Sequence, residues 1–214
     1  LRLEDGDIDL EMKHSSEYDY YYDDDIANYD YHSLFHDCPL EILYLGRNLN
    51  YTIGVYYENC GYRCSSYDYY YSPFYNKQEL KNVIIGDLVT TIGKGLFNNC
   101  ISLESITIPK NVTSIEPNAF DRCYHLYELH IEDGDTEIEM GYGERYKDED
   151  RYYGLFHDCP LESLYIGRNL TYKLIEQGGT HYYFDSPFGK IKTLKSVTIG
   201  DSVTSIGNQA FYGC

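Results

Sequence analysis

Apolar and polar residues alternate over short stretches, and the stretches recur along the chain. In residues 104–126, ESITIPKNVTSIEPNAFDRCYHL, Ile106 and Ile108 alternate with Ser105 and Thr107. A polar break follows at Pro109, Lys110 and Asn111, and Val112 and Ile115 mark a second alternation. Ala119, Phe120, Cys123 and Leu126 close the unit. The same formula precedes it at 81–103 and returns at 195–214. Period-two alternation with β-branched residues predicts a strand at the start of each unit and a shorter one after the break. Residues 116–121 read as one short helical turn, in which Pro117 is acceptable because the first helical position needs no N–H partner. Self-similarity at this period is the mark of a solenoid.

Seven coils can be laid out, at 1–40, 41–80, 81–103, 104–126, 127–161, 162–194 and 195–214, as one repeat domain over 1–214. They form a repeat within a repeat. LRLEDGD from Leu1 returns as LHIEDGD from Leu129, and LFHDCPL from Leu34 returns from Leu155. EILYLGRNLNY from Glu41 returns as ESLYIGRNLTY from Glu162, and Ser72-Pro73-Phe74 returns as Ser186-Pro187-Phe188. The extra length falls in Tyr-rich insertions near 13–33, 52–72, 141–153 and 172–185. Loops tolerate such length changes and strands do not.

A single coil brings too few large inward side chains to offset the entropy of ordering it, so the coils must stack and share a core. The wording VTSIEPNAFDRC and KSVTIGDSVTSIGNQAFYGC closely resembles the BspA-like leucine-rich repeats of bacterial surface proteins. The resemblance is specific in the third, fourth and seventh coils and interrupted in the others. It implies a right-handed leucine-rich-repeat superhelix, β-rich with short helical turns and a parallel sheet on the concave side. It also implies export to the cell surface or beyond, and adhesion to host, matrix or other surface proteins. No motif of that family confers catalysis.

Composition narrows the partners. A net charge of −18 excludes nucleic acid, whose phosphates require Lys and Arg, and opposes an anionic membrane surface. No apolar run approaches the ~20 residues of a membrane span. The chain carries 27 Tyr, 8 Phe and no Trp, and Tyr combines apolar area with a hydroxyl suited to contact surfaces. It starts and stops inside the repeat formula, which is expected of a segment whose signal and anchor regions lie elsewhere.

Candidate chemistry is sparse. Cys38, Cys100, Cys123, Cys159 and Cys214 each follow a Phe by three positions, which predicts a column of buried thiols. Zinc would need ligands at closer spacing. Cys60 and Cys64 lie off that column, in an insertion. In an exported protein they are expected to form a local disulfide, with a free or metal-binding pair as the alternative. Asp23-Asp24-Asp25, Asp148-Glu149-Asp150 and the Asp-Gly-Asp turns read as solvated acidic loops, since they lack the spacing of a calcium loop. His36 and His157 beside Cys38 and Cys159 invite a nucleophile, but an inward thiol is not accessible for one. No nucleophile elbow or phosphate-cradling loop is present. The expectation is therefore a non-enzymatic protein with no cofactor and no metal.

Alternation gives a face. If Leu103, Ile106 and Ile108 point inward, one outward column is Arg2, Tyr44, Ile84, Thr107, His130, Tyr165 and Thr198. A second is Ile42, Asn82, Ser105, Glu128, Ser163 and Ser196. The mixed chemistry of Tyr44, Ile84, His130 and Tyr165 reads as a protein-recognition strip. The alternative is a carbohydrate-binding module in which the Tyr-rich insertions serve as stacking platforms.

Overall fold

The computed structural model describes residues 1–12, 34–35, 38–51, 72–144, 152–172 and 186–214. Its strands are β1 (Arg2–Leu3), β2 (Leu10–Met12), β3 (Ile42–Leu45), β4 (Leu49–Tyr51), β5 (Asn82–Ile85), β6 (Thr91–Ile92), β7 (Ser105–Ile108) and β8 (Ser114–Ile115). They continue as β9 (Glu128–Ile131), β10 (Ile138–Met140), β11 (Tyr142–Glu144), β12 (Tyr152–Gly154), β13 (Ser163–Ile166), β14 (Leu170–Tyr172) and β15 (Ser196–Ile199). The alternating stretches have thus become strands where the period-two pattern put them.

The leading strands of the seven coils lie side by side. They form two parallel sheets, β1-β3-β5 and β7-β9-β13-β15. The shorter second strands make two more parallel sheets, β2-β4 and β6-β8-β10-β14. The β6–β8 pairing of Thr91 with Ser114 joins the third and fourth coils, across the point where the leading sheet divides. The pair β11–β12 is antiparallel and lies in the insertion near 141–153.

Alternation fixes which side chains face in. Leu43, Leu45, Ile106, Ile108, Leu129 and Ile131 are buried, and Ile92, Ile115, Ile138 and Met140 join them from the second strands. Seven phenylalanines, one per coil, run through this core as a stack. Successive ring centroids in Phe35, Phe74, Phe97, Phe120, Phe156, Phe188 and Phe211 lie 5.4 to 6.2 Å apart with nearly parallel planes. That is the offset-stacked spacing at which aromatic rings attract beyond their buried area.

The short helical turns are a correction: no helix occurs among the described residues, and 117–122 is a run of hydrogen-bonded turns. Two physical causes prevent one. Gly95, Asn99, Asn118, Arg122, Gln209 and Gly213 all have positive φ, in pairs four residues apart, and this breaks a right-handed helix. The donors are also committed elsewhere. The N–H groups of Gly95, Phe97 and Asn99 bond laterally to the carbonyls of Pro117, Ala119 and Asp121 in the next coil. Those of Leu96, Asn98 and Cys100 close tight turns onto Gly93, Gly95 and Phe97. Alternate donors serve the neighbour and the turn, so none is left for a helical ladder.

Candidate partner-binding strip

The strip follows from the strand registers. Arg2 pairs with Tyr44, and Tyr44 with Ile84. Thr107 pairs with His130, His130 with Tyr165, and Tyr165 with Thr198. Two rows of the expected outward column therefore exist, one on each leading sheet. Ile84 and His130 are exposed, while Tyr44 and Tyr165 are half-buried. The second column, Ile42, Asn82, Ser105, Glu128, Ser163 and Ser196, is exposed throughout.

The two tyrosines are held by devices the sequence reading missed. Tyr44 Oη donates to Asp5 Oδ1 at 2.5 Å, and Tyr165 Oη donates to both carboxylate oxygens of Asp133 at 2.9 Å. Each bond raises the phenol's pKa above its ordinary value, because the carboxylate favours the protonated form. Close backbone approach makes this possible: a Cβ on Gly46 would lie 2.6 Å from Leu3 O and from Asp5 N. Each ring is also covered on one side. The Arg2 guanidinium sits 3.8 Å from the Tyr44 centroid, and His130 stacks on Tyr165 at 4.5 Å and 9°. The visible signal was the pairing of Asp-Gly turns with Tyr-x-Gly in both series. Naming the partner needed the register.

At the N-terminal ends of these strands, Glu41–Lys81 at 3.1 Å and Glu162–Lys195 at 2.7 Å are equivalent exposed ion pairs. Arg2 pairs with Glu4 at 2.9 Å. Exposed pairs of this kind contribute little to stability.

The cysteine column has a hydrogen-bonding logic. Cys100, Cys123 and Cys159 are buried, and Cys38 and Cys214 at the two ends are exposed. Each Sγ from Cys100 onward donates to the carbonyl of the preceding coil's phenylalanine: Phe74, Phe97, Phe120 and Phe188, at 3.0 to 3.4 Å. Three positions after Phe74 stands Lys77, buried, whose Nζ donates to Phe35 O in the same way. Three after Phe188 stands Ile191, also buried. A search keyed to Cys misses both.

Burial pushes the thiols of Cys100 and Cys123 well above the ordinary range, with a neighbouring sulfur adding to each. Burial likewise raises Tyr51, whose hydroxyl donates to Lys94 O at 2.9 Å. All three are raised groups, so the folded state keeps protons that the unfolded chain releases. Stability should hold up to about pH 8 and fall as pH rises through the unfolded thiol and phenol values of about 8.5 and 10. Urea midpoints at pH 7, 8.5 and 10 check this. A midpoint unchanged to pH 10 would refute it.

His157 Nε2 lies 4.0 Å from Asp158 Oδ1, and the adjacent Cys159 thiol is buried against Phe120 O. That burial leaves the Cys159 sulfur inaccessible to a substrate. Among the described residues no cluster of three or more His, Cys, Asp or Glu could hold a metal, and no helix is long and apolar enough to cross a membrane. Cys60, Cys64, His36, Asp23-Asp24-Asp25, Asp148-Glu149-Asp150 and most insertion tyrosines lie outside the described residues.

A family model described as a BspA type leucine-rich repeat region matches six copies over residues 69–142 and 152–214, more than half of the chain. No curated protein and no solved structure matches it.

Proposed function

The chain belongs to the BspA-type leucine-rich repeat family, and on that premise we propose that it is a non-enzymatic adhesion or recognition protein. It acts at the cell surface or after secretion and binds other proteins through its leading-strand face. We read its seven coils as one solenoid domain, wound right-handed, with that face on the concave side. The observation that carries the reading is the outward row itself. Tyr44 and Ile84 stand in register on one parallel sheet and His130 and Tyr165 on the other, presenting aromatic, aliphatic and imidazole groups from a rigid backbone. Proteins recognise one another with such mixtures, on rigid surfaces that lose little entropy on binding. An acidic chain of charge −18 adds solubility and steers toward basic partners.

A panel of immobilised matrix and surface proteins, run beside a glycan array, tests this. Saturable binding to a panel protein, reduced by Tyr44→Ala with the fold intact, is the expected result. Binding confined to glycans would replace it with the carbohydrate-binding reading and move the site to the Tyr-rich insertions.

A further inference from the structure

The chain contains its own comparison, because the second series rebuilds the first. Residues with a structural duty recur unchanged: Tyr44 as Tyr165, Asp5 as Asp133, Gly46 as Gly167 and Leu43 as Leu164. The phenol–carboxylate bond, the close backbone approach and the buried core explain why. On the outward face the same positions differ. Ile42 becomes Ser163, Ile84 becomes Thr198, and Arg2 becomes His130. Ile42 and Ile84 are each 54% exposed, so packing does not require them, and the second series folds with small polar residues in their places. The fixed tyrosines are therefore support for the face, and the variable positions are its reading surface.

We propose that the patch formed by Ile42, Ile84 and the edge of Tyr44 on β3 and β5 is the partner-contact site, and that it takes an extended basic segment with alternating aliphatic side chains. The inference rests on the protein-binding reading above. Tyr44 pairs with Ile84, and Ile42 pairs with Asn82, so Ile42 and Ile84 are diagonal neighbours, about 7 Å apart on one face. Residues i and i+2 of an extended chain stand about 6.6 Å apart on one side, so two aliphatic side chains can meet both isoleucines together. Charge sets the rest of the partner. Among the described residues, the cations beside the patch are paired, Arg2 with Glu4 and Lys81 with Glu41. The field over the patch is therefore that of the acidic chain, which draws a cationic segment and repels an acidic one.

The probe is a fluorescent decapeptide of alternating Leu and Lys, titrated into the full chain. Leu–Glu and Ser–Lys decapeptides serve as controls. The wild-type protein should bind Leu–Lys and neither control. The double substitution Ile42→Ser with Ile84→Thr should weaken binding by about tenfold or more, on loss of two partly buried aliphatic contacts. Its fold should survive, because the second series carries those residues at those places. The reverse transplant, Ser163→Ile with Thr198→Ile, should raise the stoichiometry from one peptide to two. Undiminished binding by the first variant, equal binding of Ser–Lys, or no binding of Leu–Lys overturns the proposal. Binding of a panel protein that is untouched by Ile42→Ser with Ile84→Thr would remove this patch alone. Absence of any panel binding would remove the protein-binding reading with it.

Discussion

Phe120→Ala is expected to destabilise the fold by about 3–5 kcal/mol, the range for truncating a fully buried aromatic in a core that cannot collapse around the void. Phe120 is fully buried, with Phe97 5.6 Å away on one side and Phe156 5.4 Å on the other. Its neighbours are fixed by lateral bonds, from Phe97 N–H to Ala119 O and from Cys159 Sγ to Phe120 O, so they cannot move in to fill the space. In a stack of coils, stability sums terms within coils and between neighbours, and removing a central ring weakens two neighbour terms at once. Phe211 is the internal control: it is only partly buried and, among the described residues, stacks on Phe188 alone, at 6.0 Å. Phe211→Ala should cost less than half as much. Urea unfolding followed by circular dichroism measures both, since the chain has no Trp to report. Equal costs would mean that the phenylalanine stack does not organise the core.

The recurrence of Phe three positions before each column Cys was legible in the sequence, but that the rings stack was not. The leading strands and the outward row through Arg2, Tyr44 and Ile84 were legible, because a period of two leaves one choice of face. The helical turns were misread for a physical reason. Pro117, Asn118 and Ala119 are compatible with a helical first turn, and a single coil cannot reveal that its N–H groups will serve the next one. Positive φ at Gly95 or Asn118 could be guessed from residue type, but at Arg122, Lys190 and Gln209 it could not. Of these, Lys190 donates its N–H laterally to Tyr212 O in the next coil. The Tyr44–Asp5 and Tyr165–Asp133 bonds were hidden for a related reason: the partners are 39 and 32 positions apart, and only the register brings them together. The site itself was half legible. Alternation placed its residues, but the distinction between fixed tyrosines and variable isoleucines required knowing what each tyrosine holds.

Arg168 was the least legible residue, and its removal is the second large effect expected. An arginine at a turn reads as solvated, yet Arg168 is fully buried. Its guanidinium extends past Gly134 of the fifth coil to the fourth, donating to Lys110 O at 2.6 Å and Pro109 O at 2.8 Å. One side chain thus ties three coils, a link that neighbour-only stacking does not provide. Arg168→Met keeps much of the volume and removes the buried charge, which by itself can be neutral or favourable. The carbonyls of Pro109 and Lys110 remain, however, and lose charge-assisted donors worth roughly 1.5–3 kcal/mol each. The net cost should be about 2–4 kcal/mol once relief of the buried charge is set against that loss. The first series again provides the control. Arg47 occupies the equivalent place but bonds Glu4 O and Asp5 O, at 2.8 and 2.9 Å, within exposed surroundings. Water can replace it there, so Arg47→Met should cost about 1 kcal/mol or less. Chemical denaturation of the two variants side by side decides the point. If Arg47→Met is as costly as Arg168→Met, burial across three coils is not what gives this arginine its effect.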